Sequence, residues 1–551
     1  MIINKRMMRR NGATIFLVLF GVLLLFMRYR IQLQDTFRSL RGKSEKENAA
    51  IEELFGPRKI ISKEPKIIST NKIEDIEIKK EEKIEKPPLK LENAQNWKVT
   101  DEKCELNPFS EVFKNSDDGY ETMKMSNEEI HSEKFTHATS TIKPVFEKTT
   151  IRLNPDRFLF PILMRGPNNQ LIGFRESIYV AIRLNRTLVI PRFIKHRTDS
   201  QREEGSTTIH PAHRVDFVTL CSFVSCVTMQ QFRTACGNQA DVILRLRHYS
   251  KKRIPEMESL TGVRFSYSNN PKEPKLNLVP KEPENKATTY FGHKEKEIQA
   301  IFNSKGRCAI YALPYYNMKI RLKASPTHIR TQADLHSMSD TDVFSEIIRH
   351  TPAPKYLRSV AEDFIKTKFG GAKFLTVHWR YDKKDWMKRC DELQAGSSRK
   401  KLCNEAALIQ PSNVAQAVLL KLDDVKFTVP GITHIYIASP PSEIEFITEV
   451  KKILNEKKFL VYHIPDLTSF LKERYASCNF IKEHLDDIES SIEMQICTRG
   501  SVFLRSTRSS WSSNVIEWRR HNLTPSIHTD KDEDVFQLTR KIMEKNQQNK
   551  V

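Results

Sequence analysis

The sequence predicts an α/β protein with two domains, each built on a mainly parallel sheet, behind a membrane anchor and a stem. Three observations predict it. A strand–helix–strand pattern begins at Phe158, a second and clearer alternation begins at Tyr356, and the only long uncharged apolar run lies near the N-terminus.

That run, Ala13 to Met27, follows Lys5, Arg6, Arg9 and Arg10 and is closed by Arg28 and Arg30. It is at the short end for a membrane-spanning helix, which suits a thin bilayer of the early secretory pathway. No small-x-small cleavage site follows Met27, so a retained signal anchor is expected rather than a cleaved signal peptide. The basic side faces the cytoplasm, giving residues 1–12 as a cytoplasmic tail, 13–27 as the anchor and the rest as lumenal. Residues 28–96 read as a stem. Their clearest stretch, Lys72 to Lys90, is rich in Lys, Glu and Ile, with acids and bases nearly cancelling, few aromatics and no sustained heptad.

Two domains and a tail fill the remainder: 97–355, 356–530 and 531–551. In the first, Phe158 to Met164 is a short apolar run, Gln170 to Asn185 has helical spacing, and Thr187 to Pro191 is again strand-like, making one βαβ unit. From about Lys195 to Pro352 periodicity weakens, and the segment reads as loops and helices decorating that domain. In the second, Tyr356 to Gly371 is an amphipathic helix ending in glycines suited to a left-handed cap. Strands follow at Lys373 to Arg380, Thr433 to Ser439, Lys458 to Pro465 and Ser501 to Ser506. Ser439 is the expected N-cap of the helix after the second of these, and Gly500 ends the helix before the last.

A net charge of +22 on 551 residues points to an anionic partner: a nucleic acid, a membrane surface or a phosphorylated small molecule. The lumenal location and the mixed charges of the stem argue against nucleic acid. Nine cysteines in an oxidising lumen are expected mostly as disulfides, with at least one left unpaired. No C-x-x-C pair and no matching His spacing supports zinc. Asp340-Thr341-Asp342 reads as a helix cap and Asp530-Lys531-Asp532 as part of a polar tail, so no metal site is expected. Asn185 and Asn522 lie in N-glycosylation sequons.

Ligands of open parallel sheets bind at the carboxyl ends of the strands, which singles out three segments. Arg165-Gly166-Pro167-Asn168-Asn169-Gln170 lies between the first strand and its helix, where tight backbone and helix N–H groups can receive an anion, although a capped turn explains it too. His378 and Arg380 share one face at the end of a strand, where an arginine can grip a diphosphate through two nitrogens. Thr507 to Asn514 crowds serines at a helix start, where ordinary capping explains one but not four. Neither G-x-G-x-x-G nor a P-loop is present.

In this order the three segments resemble the GDP-fucose protein O-fucosyltransferase family over roughly residues 150 to 530. Asn169-Gln170, the helix from Gly173 and Arg186 to Pro191 match its first motif. His378, Arg380, Asp385-Trp386 and Cys390 match its second, and Glu493, Ser501 to Leu504 and Ser509-Ser510-Trp511-Ser512 its third. The resemblance implies a GT-B fold, with two Rossmann-like domains facing a cleft, and transfer of fucose from GDP-fucose without metal or other cofactor. It implies that Arg380 binds the β-phosphate and steadies the departing diphosphate, with Asn169 near the reacting centre. His378 would hold the nucleotide, Glu493 would meet the guanine edge, Ser509, Ser510 and Ser512 would serve the phosphates, and Trp511 would pack on the nucleotide. Asp385, or Asp382, stands where the family has a further acid. Where the family has Gly-Arg-x-Gly before Asn-Gln, this chain has Arg165-Gly166-Pro167-Asn168, which moves the arginine by one place and changes the backbone, so that either Arg165 still reaches the phosphates or the function is lost.

The function expected is therefore fucosylation of a Ser or Thr hydroxyl on a secretory-pathway protein by a single-pass type II enzyme of the Golgi or endoplasmic reticulum. A glycan acceptor is one alternative, and a non-catalytic lumenal binding protein with the transferase fold is another.

Overall fold

Phe158–Ile162, buried along its whole length, forms strand β1 and is followed by helix α1, Pro167–Arg183, and strand β2, Thr187–Val189. β2 pairs with β1 in parallel, as the alternation predicts. The computed structural model describes residues 104–107, 111–113, 142–195, 208–245, 254–265, 277–281, 295–302, 304–314, 327–381, 390, 396–506, 509–522 and 533–548. All of them lie in one compact unit, Lys80–Val551. The expected anchor, the stem and Asp530 to Asp532 lie outside the described residues. Among the described ones, no helix is long and apolar enough to cross a membrane.

The segment read from sequence as decoration instead supplies most of the first sheet. Strands β3 (Cys226–Val227), β4 (Val242–Leu244), β5 (Leu278–Val279) and β6 (Cys308–Ala312) join β1 and β2 in the order β3-β2-β1-β6-β4-β5, every pairing parallel. Three of these four strands have two or three residues, too few to show a period of two, and β6 is uniformly buried and so does not alternate.

Helix α2, Asp340–Arg349, opens with a capping box between Ser339 and Asp342, and Asp340 pairs with Arg183 at 2.6 Å, so both aspartates are structural. Helix α3, Lys355–Phe369, ends on Gly370 at φ +56°, a left-handed cap that glycine takes without a Cβ penalty. The second sheet then forms from β7 (Phe374–His378), β8 (His434–Ala438), β9 (Leu460–His463) and β10 (Val502–Leu504), ordered β9-β8-β7-β10 and parallel throughout. Its crossovers include helices α4 (Pro411–Val425), α5 (Ile444–Glu456) and α6 (Leu485–Arg499). Helices α7 (Ser510–Asn522) and α8 (Val535–Gln548) follow β10.

Strand alternation divides the second sheet between two cores. Leu375, Val377, Ile435 and Ile437 pack on one side with α4, α5 and α8, while Phe374, Tyr436 and Ala438 face the core that continues through α3, α6 and α7 into the first sheet. Ser439 does not cap a helix. A 3-10 turn, Pro441–Glu443, intervenes before α5, and Ser439 stays buried with its hydroxyl unpartnered. Disulfides join Cys104 to Cys478, Cys236 to Cys308 and Cys390 to Cys403, while Cys221, Cys226 and Cys497 are unpaired and buried.

Candidate active site

In each sheet the strand order reverses beside the first strand, between β1 and β6 and between β7 and β10. Those are the places where adjacent connections leave in opposite directions and open a crevice at the strands' carboxyl ends. The three segments singled out from sequence follow β1, β7 and β10.

After β1 the chain turns at Arg165, exposed and held at φ 75°, a conformation that costs a non-glycine residue on the order of 1 kcal/mol. Fully buried Gln170 braces the turn: its Nε2 donates to the carbonyls of Arg165 at 2.7 Å and Ile194 at 2.9 Å, and its Oε1 accepts from the Ile194 N–H at 2.7 Å. The helix begins at Pro167, three residues before the start expected at Gln170. Proline's fixed φ suits the first helical position, and the Gly166 carbonyl accepts from the N–H groups of Asn169 at 2.9 Å and Gln170 at 3.1 Å. Asn168 and Asn169 thus stand in the first helical turn rather than in a loop, and the Oδ1 of Asn169 is buried without a hydrogen-bond partner.

At the end of β7 the side chains alternate. Trp379 turns into the core, stacked on Phe446 at 5.3 Å, while His378 and half-buried Arg380 take the other face. His378 Nδ1 lies 2.7 Å from Ser512 Oγ, and its ring stacks on Trp511 at 4.1 Å. Burial first, and the neighbouring Arg380 charge second, hold its pKa well below the ordinary imidazole value, so the ring is neutral. The Ser506 hydroxyl donates to the His378 carbonyl at 2.6 Å, and the Ser506 N–H donates to Ser512 Oγ at 3.1 Å, fastening β10 to β7 and α7. Ser509 is buried ahead of α7, its carbonyl accepting from Ser513 N–H at 3.0 Å, and Ser510 begins the helix half-buried.

The same helix reaches the first segment. Asn514 Nδ2 donates to the Asn168 carbonyl at 3.1 Å and to its Oδ1 at 3.2 Å, while Asn514 Oδ1 accepts from Arg175 at 3.1 Å. Arg175, on α1, also donates to Glu517 at 2.5 Å and Thr351 at 2.9 Å, with its guanidinium 5.4 Å from the Trp518 ring centre. α7 is therefore the hub that brings the three segments together.

A family model described as GDP-fucose protein O-fucosyltransferase matches residues 162–522, which include all three segments. The chain belongs to that family. It is accordingly a GDP-fucose-dependent fucosyltransferase. No curated protein sequence matches it. Among solved structures it is similar to POFUT1 in complex with GDP-fucose, at 14% identity and a TM-score of 0.44, over 68% of this chain and 97% of that one. It is also similar to an Arabidopsis thaliana FUT1 mutant in complex with GDP, at 8% identity and a TM-score of 0.34, over 66% and 68% of the two chains. NodZ alpha-1,6-fucosyltransferase soaked with GDP-fucose gives 12% identity and a TM-score of 0.33, over 66% and 92%.

Of the remaining residues singled out for this fucosyltransferase, Glu493 lies deep. It accepts from the Tyr436 hydroxyl at 3.1 Å, and burial, with Glu489 adding, pushes its pKa well above the usual carboxylate range. Glu489 itself is pushed up to about 7 by burial. Trp511 Nε1 donates to Ser490 Oγ at 3.2 Å, and Ser490 sits three residues from Glu493 on α6, which puts Glu493 on the Trp511 side of that helix. Asp385 and Trp386 lie outside the described residues. Asn185 is exposed, and Asn522 is the last residue of α7. Among the described residues, no three His, Cys, Asp or Glu side chains gather as metal ligands.

Motif and spacing alone single out neither Arg175, Glu517, Ser506 nor Tyr436, and give Asn514 no role. One signal is present in the sequence: Arg175-Glu176 falls between the apolar Leu171 to Phe174 and Ile178 to Ile182, and a charge buried there requires a partner.

Proposed function

We propose that this enzyme transfers fucose from GDP-fucose to a Ser or Thr hydroxyl of a secretory-pathway protein without a metal ion. In this reading the two parallel-sheet halves form a GT-B arrangement, and the donor sits where β7, β10 and α7 meet. The observation that carries the reading is the junction made by α7, which bonds His378 through Ser512 and Asn168 through Asn514. The anchor at Ala13 to Met27 and residence in the Golgi or endoplasmic reticulum are part of the same proposal.

The chemistry follows from charge. Breaking the bond between fucose and phosphate develops negative charge on the leaving diphosphate, and stabilising it needs preorganised cations and donors. Arg380, emerging half-buried at the carboxyl end of β7, is the cation at that point. The N-terminus of α7, with Ser509 and Ser510, adds N–H groups and a favourable dipole. Asn169 brings its amide from the facing segment. Arg165, exposed at the turn that precedes the helix carrying Asn169, is the second cation of this reading.

The test is GDP-fucose binding and release of GDP by the full-length protein beside Arg380→Ala. The variant is expected to fold normally and to lose roughly 100-fold or more in turnover, as loss of a charge-stabilising donor does. A well-folded wild-type protein that binds neither GDP nor GDP-fucose would overturn the proposal and favour a protein that kept the fold without the reaction.

A further inference from the structure

The family resemblance has Ser512 serving the phosphates, but the hydrogen bonds of its hydroxyl lie inside the protein. It is 1% exposed, its oxygen accepts from the Ser506 N–H at 3.1 Å, and it lies 2.7 Å from His378 Nδ1. A hydroxyl has one proton to give, and a buried one without an acceptor costs about 1–3 kcal/mol. If Nδ1 carried a proton, Ser512 would accept from both neighbours and its own proton would face no acceptor that the structure supplies. If Nδ1 is bare, the Ser512 O–H donates to it and every group is satisfied.

We infer that Ser512 is a positioning residue that fixes His378 as the neutral tautomer protonated at Nε2, so that the donor sugar nucleotide meets an Nε2–H. Nε2 makes no hydrogen bond among the described residues, which leaves its proton for a ligand, and the Trp511 stack fixes the plane of the ring. The Ser506 hydroxyl supports the arrangement from the other side by donating to the His378 carbonyl at 2.6 Å. The role for Nε2–H rests on the donor-site reading above; the tautomer itself rests only on the hydrogen bonds.

The experiment is nitrogen NMR of full-length protein labelled at histidine with 15N, with His378 assigned by its loss in His378→Gln. Nδ1 is expected at the shift of a bare nitrogen and Nε2 at that of a protonated one, unchanged on moderate acidification. Ser512→Ala is expected to show a mixture of the two tautomers and about tenfold weaker GDP-fucose binding, with Ser512→Thr restoring both. GDP-fucose titrated into the wild type is expected to move Nε2 more than Nδ1. A wild-type spectrum with the proton on Nδ1, or the same single tautomer in Ser512→Ala, overturns the inference. The wild-type spectrum decides the tautomer whether or not the variants fold. Failure of the wild type to bind GDP-fucose while His378 keeps the Nε2 proton removes the donor-site reading and leaves the tautomer assignment supported.

Discussion

Replacing Arg175 with Met should be strongly damaging. Its side chain is 1% exposed and that of Glu517 14%, so the substitution leaves a carboxylate buried without its cation. It also removes donors from Asn514 and Thr351. One ion-pair bond and two further bonds from the same charged guanidinium, with a stranded acid, put the loss at about 3–5 kcal/mol. Met keeps the aliphatic bulk against Trp518, so little of this is cavity. Burial already pushes the Glu517 pKa upward, and Arg175 is the main influence opposing it. Without Arg175 the folded-state value rises further. The penalty is then absent below the unfolded value and fully present above the folded one, so the variant should be more destabilised at about pH 7.5 than at about pH 5. Urea unfolding at both pH values, read by tryptophan fluorescence, measures this. Arg175→Met/Glu517→Leu should recover at least half of the loss and flatten the pH dependence, because a buried pair replaced by apolar groups is often nearly neutral. A single-variant loss below about 1 kcal/mol, or a double variant worse than the single, would refute the view that this pair joins α1 to α7.

Two more predictions follow from burial and close approach. His210 and His484 have pKa values near 4 through burial, and His213, against Tyr356 and 5.2 Å from His484, is held well below the ordinary value by burial. A base whose folded pKa is depressed loses stability as pH falls below its unfolded value. About 2 kcal/mol should therefore be lost for each of His210 and His484 between neutrality and about pH 5, and a pH series of thermal unfolding should flatten in His484→Gln. Gly173 in α1 packs so closely on the Pro314 carbonyl that a Cβ there would overlap backbone oxygen. Gly173→Ala should cost about 1–3 kcal/mol in urea unfolding, and an unchanged midpoint would show that the two segments separate freely.

Much of the second sheet is legible in the sequence because its strands are four or five residues long, apart from β10, and its helices carry caps such as Gly370. The first sheet is half hidden: strands of two or three residues have no measurable period, so β3, β4 and β5 read as connections. The start of α1 is obscured for a local reason, since Pro167 reads as a breaker in a string of letters and as a first-position residue once Gly166 caps the helix.

The sequence by itself determined the α/β class, the order of the three segments and the family, because strand alternation, helix spacing and motif order are properties of neighbours along the chain. Only the tertiary structure decided that Ser512 bonds His378, that Asn514 bonds Asn168, and that Arg175 is matched by Glu517. Those partners lie 134 to 346 residues apart. No local propensity specifies which distant polar group meets which; the packing of α7 against α1, α2 and α6 does, because each buried polar atom there must find a partner or carry the cost of lacking one.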